Sequence, residues 1–532
     1  MKLYNVYFDE FINSRPSYND ILRLPKYKKL QVHYENNISD SYLIKLKEFN
    51  HKYLDILNKK NKLNIYDECL KYNINQSLEG LNYNLHLMPI SQFENHISNY
   101  IQLLNGTGYF IFEKINDYQN FMEKNKEFSI WCSQLIINLQ LGINKNIVLP
   151  KIICKKLIDE IEETIISKSY INKKVPSSLQ KEWSNNVDDF ILRPIKNVLE
   201  FLINIYLPNC RITLGYSSLP NGKSIYKYLV KNNITKNMSI KSIHNLGLKE
   251  IKRITQEMEK VVLKLNYKKG IKNFMDYLQT TKSNRYNNKE EVFIDYEKTR
   301  KYLWEVVLPE FFNLKIKKPY EIKPVPKELE ANMAGAYYIN GDLVGSREGV
   351  FYLNTRDVKH MLKSNCLTLS KHEGIPGHHF HITYMNENKK IPLFIKTSNY
   401  TAFIEGFALY AENLGEYNDI NYFGKLNSEM LRAIRLVVDT GIHYYNWDYK
   451  KCFELFKKYS IYPDSEIEAE IYRYVALPGQ ALSYKIGELT ILNLRKKYMK
   501  KYNDIKEFHR LILENGQLPL EILVNKLEKY LL

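Results

Sequence analysis

Apolar residues recur at helical spacing along most of the chain. In residues 117–166 they fall at positions i, i+3, i+4 and i+7, the pattern of a helix that buries one face. Residues 1–75 and the segment H-N-L-G-L-K-E-I-K-R-I-T-Q-E-M-E-K follow the same period. Gly142, Pro150 and Pro208 interrupt the pattern and mark helix ends. The pattern therefore predicts a mainly α protein.

One part of the chain departs from this period. The stretch K-P-Y-E-I-K-P-V-P-K is punctuated by prolines, which favour extended backbone. Residues 334–354, which follow it, alternate glycines, aromatic residues and short apolar runs, and this predicts two or three strands joined by tight turns. The small sheet could offer an edge strand to an extended peptide through backbone hydrogen bonds. Alternatively, it is a hairpin that only covers the core.

Composition limits the class of protein. A chain of 532 residues, of which 44% are hydrophobic, can build a large core, and we expect one large domain over residues 1–532. Its 77 basic and 59 acidic residues give a net charge of +18. The lysines are dispersed along the chain rather than gathered in a patch, which argues against a nucleic-acid partner. A composition drift toward Lys, Asn, Ile and Tyr would give the same charge.

The six cysteines are far apart and form no C-x-x-C pair, so they predict buried free thiols in a reducing compartment. Acidic residues stand near the N-terminus where a signal peptide would need an apolar run, and no apolar stretch approaches the length of a membrane span. We therefore expect a soluble intracellular protein without a membrane partner.

Four of the twelve histidines lie within residues 372–381, H-E-G-I-P-G-H-H-F-H. In the zinc motif H-E-x-x-H, two histidines one helical turn apart reach one metal and the glutamate polarises the bound water. Here Pro376 occupies the place of the second histidine. A bulge that skips two residues makes His378 the second ligand after His372, whereas a bulge of three selects His379. The alternative is a histidine-rich surface loop.

The next segment, F-I-E-G-F-A-L-Y-A-E at 403–412, predicts a helix with Glu405 and Glu412 near one face. A catalytic zinc needs a third protein ligand, which Glu405 can supply, and Glu412 can orient a ligating imidazole. Both could instead be surface charges. Glu405, however, stands among apolar residues, where a carboxylate is costly to bury without a partner.

Polar residues also interrupt the apolar helices of residues 430–447 and 470–487. In the second segment Arg473, Tyr474, Gln480 and Tyr484 surround a Pro-Gly bend. Donors of this kind can stabilise the oxyanion of a hydrolytic intermediate. Equally, they can form a structural network in a core turn.

The chain resembles the domain of unknown function 885 family in four motifs, which occur in the same order. They are H-E-G-I-P-G-H-H, F-I-E-G-F-A-L-Y-A-E, R-L-V-V-D-T-G-I-H-Y-Y-N-W and R-Y-V-A-L-P-G-Q-A-L-S-Y-K-I-G. The upstream Y-Y-I-N-G-D-L-V-G-S-R-E-G-V-F-Y-L-N is also similar, although that family often has proline in place of Glu348 and tryptophan in place of Phe407. Its members resemble zinc peptidases of the gluzincin type. The resemblance implies a two-lobed helical fold around a central cleft, with the small sheet near the active site.

The same resemblance implies lobes at residues 1–200 and 201–532, with the metal site in the second. It also implies that one Zn²⁺ is held by His372, His378 and Glu405, and that Glu373 is the general base. We therefore expect a zinc-dependent peptidase acting on short peptides.

Further roles are assigned by chemistry alone. Arg473, Tyr474 and Tyr484 are expected to assist catalysis, and Arg347, Tyr338 and Gln480 to bind the peptide substrate. The rival hypotheses are a non-catalytic basic binding or packaging protein that retains the fold, and a metal-dependent hydrolase of a non-peptide amide. An intact Glu373 argues against the first, because a lost activity places no demand on that carboxylate.

Overall fold

The computed structural model describes residues 2–22, 24–327, 330, 335–343 and 347–532. It confirms the prediction of a mainly helical protein with a small sheet. The α-helices of the described residues, numbered α1 to α25 along the chain, are Leu3–Ser14, Pro16–Leu22, Asp40–Asn58, Ile65–Gly80, His96–Leu104, Ile115–Asn144, Lys151–Ile166, Gln180–Val187, Arg193–Phe201, Leu207–Asn209, Gly222–Ile234, Ile240–Lys264, Gly270–Thr280, Lys289–Tyr302, Leu308–Phe311, Lys363–Leu369, His378–Glu387, Leu393–Lys396, Thr401–Ala411, Asp419–His443, Tyr449–Tyr459, Asp464–Ala476, Ser483–Tyr502, Ile505–Leu513 and Leu520–Leu531.

Shorter helical segments join or extend these helices. The 3₁₀ segments are Pro25–Val32, Leu81–Tyr83, Leu85–Leu87, Ser177–Leu179, Tyr216–Ser218, Lys282–Asn284, Val358–His360 and Gln480–Leu482. The π-helical turns are Asp188–Leu192, Leu202–Tyr206, Leu303–Val307 and Ser370–Gly374. Such turns widen a helix locally and often lie at functional sites. The last of them contains the start of the histidine cluster.

The sheet has three strands in the order β1 (Tyr320–Pro324), β3 (Gly349–Leu353), β2 (Ala336–Ile339). β1 pairs in parallel with β3, and β2 pairs antiparallel with β3. Two of the strands lie in the segment predicted to form them, and β1 lies in the segment predicted only as extended. Ala334 and residues 344–346, which belong to that prediction, lie outside the described residues.

The chain packs as two compact units, Met1–Tyr228 with Val475–Leu477, and Leu229–Tyr474 with Pro478–Leu532. The core of the first is aromatic. The buried rings of Phe128 and Trp131, both on α6, stack 5.8 Å apart, and Tyr100 of α5 stacks on Phe128 at 3.8 Å. Such ring pairs add about 0.5–1.5 kcal/mol to the burial of their area. The two-lobed arrangement around a cleft stays a prediction.

The second unit contains the sheet and the histidine cluster. Its long helices α12 and α20 approach closely at Gly247, where a Cβ atom would lie 2.7 Å from Val437 Cγ2. Asn418 caps the first turn of α20 by accepting a hydrogen bond from the Asn421 backbone. The α12–α20 pair therefore forms a rigid support next to the histidine cluster, because α20 also packs against α16.

All six cysteines are buried free thiols, as predicted. Among the helices that the structure describes, none combines the length and the apolar character needed to cross a membrane. The predicted intracellular location stays a prediction.

Candidate metal centre

The histidine cluster spans two helices joined by a sharp break. α16 continues into the π-helical turn Ser370–Gly374, which carries His372, and the backbone becomes extended at Ile375. α17 then begins at His378. Gly377 lets the backbone pass close to the preceding turn, because a Cβ atom at this position would lie only 2.0 Å from the carbonyl oxygen of His372. The break inserts extra residues between the two histidines without separating their side chains.

Two histidines and one glutamate converge at this break. Glu405 Oε2 lies 3.6 Å from His372 Nε2 and 3.4 Å from His378 Nε2, and one ligand atom from each residue lies within 4.8 Å of the others. The two imidazole rings are perpendicular, with centroids 4.9 Å apart. In the described part of the chain, this is the only such group of three histidine, cysteine or acidic side chains.

The spacing of these atoms fits a zinc ion. Zinc binds imidazole nitrogen and carboxylate oxygen at about 2.0–2.2 Å, usually with tetrahedral geometry. Because a tetrahedron's edge is about 1.6 times its centre-to-corner distance, ligands about 2.1 Å from the ion stand about 3.4 Å apart. The two separations between Glu405 Oε2 and the imidazole nitrogens, 3.6 and 3.4 Å, are close to this value. Two imidazoles and one carboxylate also leave a fourth position for water or substrate.

Glu405 is placed by the close packing of two helices. It lies on α19, next to Gly406, and a Cβ atom on Gly406 would come within 2.4 Å of Gly487 Cα on α23. A Cβ atom on Gly487 would lie 2.0 Å from the carbonyl oxygen of Ala402. The two glycines let α19 and α23 touch along their backbones. This contact holds α19 at the depth that brings Glu405 to the histidines.

Glu412 orients the first histidine. Its Oε1 lies 2.8 Å from His372 Nδ1, and its side chain is only 1% exposed. With Nδ1–H donating to this carboxylate, the lone pair of Nε2 is directed toward Glu405 and the centre of the cluster. The structure thus places Glu412 beside His372 rather than among the candidate ligands.

The charged groups of the cluster shift one another's pKa values. Burial disfavours the charged form of His372, but hydrogen bonds to Glu405 and Glu412 outweigh it and raise the His372 pKa to about 10. Burial by itself would raise the pKa of Glu405, but the charges of His378 and His372 outweigh it, so the Glu405 pKa falls well below its usual value. A metal ion that binds here must displace the proton held by His372.

Glu373 stands beside the candidate ligands. Burial raises the pKa of its carboxyl group, and the charge of Glu405 adds to this, against the opposing charges of His372, His378 and Arg432. A carboxyl pKa moved toward neutrality suits a group that accepts a proton and later releases it. No described residue makes a hydrogen bond to its carboxylate.

His379 points away from the cluster. Its Nε2–H donates to the carbonyl oxygen of Lys318 at 3.1 Å, and its Nδ1 accepts from the Tyr338 hydroxyl at 2.9 Å. Burial lowers the His379 pKa to about 4. Both ring nitrogens are therefore engaged in holding α17 against the sheet region. His381 is also buried, with its ring beside Phe407.

The donors predicted near the Pro-Gly bend form two groups. Arg473 Nη2 donates to Gln480 Oε1 and to the Tyr484 hydroxyl, each at 3.2 Å. Tyr474 is fully buried, and its hydroxyl donates to Glu470 and accepts from Arg435 Nε. The Tyr474 hydroxyl thus belongs to an internal ion-pair network.

The remaining predicted residue, Arg347, lies just before β3, and its Nη2 donates to the carbonyl oxygen of Asn340 at 3.0 Å. Tyr338 is on β2, with its hydroxyl directed to His379.

Two cations act on the cluster: Arg432, one of the polar residues that interrupt the apolar helix of residues 430–447, and Lys371, which the sequence did not single out. Lys371 precedes His372 and is fully buried, with Nζ 3.8 Å from the centre of the Tyr417 ring, and burial lowers its pKa to about 7. Arg432 lies on α20, and its charge acts on Glu373. Lys371 directly precedes the cluster in the sequence, whereas Arg432 stands in a segment already noted for its polar residues and reaches the cluster only through the fold.

Comparison with known proteins shows the family and the fold. The family model for bacterial proteins of unknown function (DUF885) matches residues 20–527. A solved "putative lipoprotein" from Colwellia psychrerythraea is 22% identical, with a TM-score of 0.87 over 99% of this chain and 98% of that chain. A "putative lipoprotein of unknown function" from Shewanella oneidensis is 16% identical, with a TM-score of 0.76 over 98% of each chain. No curated protein matches the chain.

Proposed function

The chain belongs to the DUF885 family of bacterial proteins of unknown function, and we propose that it is a zinc-dependent peptidase that hydrolyses short peptides. The observation that carries the proposal is the convergence of His372, His378 and Glu405 at zinc-ligand spacing, with Glu373 beside them. The similarity of H-E-G-I-P-G-H and F-I-E-G-F-A-L-Y-A-E to gluzincin motifs supports the same conclusion.

His372, His378 and Glu405 would hold the ion, and Glu412 would keep His372 in the tautomer that presents Nε2. Zinc, when bound, acidifies a water molecule and polarises the carbonyl of the scissile bond. Glu373 accepts the proton of the attacking water and delivers it to the leaving amine. Its raised pKa favours this double role, because a strongly acidic carboxyl group would hold the proton too weakly.

The three candidate groups for oxyanion stabilisation differ in whether they keep a donor for a ligand. Tyr484 accepts from Arg473, so its own hydroxyl proton is available to a ligand. Tyr474 is occupied by Glu470. We therefore assign the oxyanion role to the Arg473–Tyr484 pair and a structural role to Tyr474.

The edge strand β2 is the proposed place for the peptide backbone. β2 lies at one edge of the sheet, is only half-buried, and contacts the turn that carries His372. An extended peptide can pair with such an edge through backbone hydrogen bonds alone. This arrangement would bind peptides of varied sequence.

The test is a metal analysis followed by a fluorogenic peptide library, with wild type and Glu373→Gln. We expect one zinc per chain in both proteins and a 10²- to 10⁴-fold lower hydrolysis rate in the variant. Less than one equivalent of zinc under saturating conditions would contradict the proposal. Zinc without Glu373-dependent cleavage of peptides would favour a binding protein, and cleavage confined to other amides would favour a different hydrolase.

A further inference from the structure

The side chain of Tyr417 contacts both segments that meet at the first histidine of the cluster. Tyr417 lies in the loop between α19 and α20 and is half-buried. Its hydroxyl donates to the backbone oxygen of Glu412 at 2.7 Å, and the centre of its ring lies 3.8 Å from Lys371 Nζ. Lys371 directly precedes His372, and Glu412 Oε1 lies 2.8 Å from His372 Nδ1. One tyrosine therefore joins the residue before this histidine to the residue that orients it.

The hydroxyl contact holds the end of α19. Glu412 follows the last residue of this helix, where carbonyl groups have no partner within the helix. The Tyr417 hydroxyl supplies the missing donor. The next residue is held as well, because Asn413 Nδ2 donates to the backbone oxygen of Leu409 at 3.1 Å and to Glu488 Oε1 at 3.0 Å. These bonds fix the backbone that carries the Glu412 side chain.

The ring contact compensates a buried cation. The Lys371 side chain is fully buried, and within the described part of the chain no residue accepts a hydrogen bond from its Nζ. An ammonium group is attracted to the face of an aromatic ring, most strongly where water is excluded. Gly415, with a φ of 78° below the limit for left-handed glycine at 73°, is not needed for this contact, but its backbone passes beside the same ammonium group, where a Cβ atom would lie 3.8 Å from Nζ. Loss of the ring would leave a buried charge without this compensation.

We propose that Tyr417 is a positioning residue of the candidate metal centre, which sets the geometry of the hydrogen bond between His372 Nδ1 and Glu412. This inference rests on the proposed function, because that hydrogen bond orients a proposed zinc ligand. Tyr417 acts through Lys371 and Glu412 rather than on the metal. If the carboxylate moves away from Nδ1, the imidazole can rotate, and Nε2 is no longer directed toward Glu405.

The test observes the ring N–H groups of His372 in metal-free protein made with isotope-labelled histidine. The Nδ1–H should give a downfield proton resonance, because it donates to a buried carboxylate. Glu412→Ala should abolish this resonance and thereby assign it. Tyr417→Phe, which keeps the ring and loses the hydroxyl, should move the resonance upfield and speed its exchange with water. Tyr417→Leu, which also loses the ring, should have a larger effect.

Zinc affinity is then measured on the same proteins by competition titration. Tyr417→Phe should raise the Kd about 2- to 10-fold, the range of one neutral hydrogen bond. Tyr417→Leu should raise it about 10- to 100-fold, as expected when the orienting carboxylate is no longer held. The matched control is Tyr118→Phe, which removes a hydroxyl that donates to the backbone oxygen of Lys174 at 2.8 Å in the other unit. It should change neither the resonance nor the Kd.

An unchanged His372 resonance in the Tyr417 variants overturns the inference, even if their melting temperatures fall, because Tyr417 would then only stabilise the fold. A zinc Kd within twofold of the wild-type value in both variants also overturns it. If Tyr417→Leu does not fold, Tyr417→Phe decides the question. Failure of the proposed function is a separate result, seen as a zinc-loaded wild type that hydrolyses no peptide while the resonance and the Kd still respond to Tyr417.

Discussion

Replacement of Glu412 tests how the first histidine is oriented. The carboxylate accepts a hydrogen bond from His372 Nδ1 at 2.8 Å inside the protein, where only 1% of the Glu412 side chain is exposed. A hydrogen bond to a charged group contributes about 1.5–3 kcal/mol. Loss of a carboxylate that orients a ligating histidine weakens metal binding about 10- to 100-fold, or about 1.4–2.8 kcal/mol. The two estimates agree.

We therefore expect Glu412→Ala to raise the Kd for zinc by about 10- to 100-fold. Glu412→Gln should have a smaller effect, because its amide oxygen still accepts from Nδ1–H while the negative charge is lost. The measurement is a competition titration against a chromophoric zinc chelator at fixed pH. Thermal melting of each metal-free variant reports whether the fold is retained.

Glu416→Gln is the matched control, since this exposed glutamate lies four residues further along the same segment. Its zinc affinity should equal that of the wild type. A Kd for Glu412→Ala within threefold of the wild-type value would refute the orienting role. An equal loss in Glu416→Gln would show that the effect comes from general charge.

Other consequences of the same geometry can be measured separately. Because the His372 pKa is about 10 in the metal-free protein, zinc binding at pH 7–9 should release about one proton, and affinity should fall about tenfold per pH unit as pH decreases. Calorimetry in buffers of different ionisation enthalpy counts the protons, and zero release would contradict the assignment. His378→Ala should abolish zinc retention, whereas His379→Ala should retain zinc but lower the melting temperature; the reverse result would reassign the ligand. Gly377→Ala should weaken zinc binding and destabilise the fold by about 1–3 kcal/mol. Gly335→Ala is its control, because none of the described residues comes within 4 Å of the added methyl group, and it should alter stability by less than about 0.5 kcal/mol in denaturant titrations.

The local features of the fold could be predicted because they repeat along the chain. Helical periodicity predicted the mainly α class, and the change to short alternation predicted strands near residues 334–354. β1 was predicted only as extended, because its parallel pairing with β3 joins Tyr320 to Gly349 across 29 positions. No local pattern specifies such a partner.

The candidate ligands were predictable because metal chemistry restricts residue type and spacing. Residues alone could not choose between His378 and His379, since the choice depends on how the chain turns at Gly377 and on the hydrogen bonds that draw His379 to Lys318. The role proposed for Tyr417 depends on contacts between segments that are distant in sequence, which no local pattern predicts.

If one zinc ion is held by His372, His378 and Glu405, as we propose, anomalous diffraction at the zinc edge should locate it there. Crystals grown with zinc should show one strong peak about 2.0–2.2 Å from the Nε2 atoms of both histidines and from a carboxylate oxygen of Glu405. Crystals of Glu405→Ala, grown in the same way, should show a much weaker peak. The absence of a peak in the wild type, or a peak coordinated by His379 instead of His378, would show that these three residues do not form the zinc site.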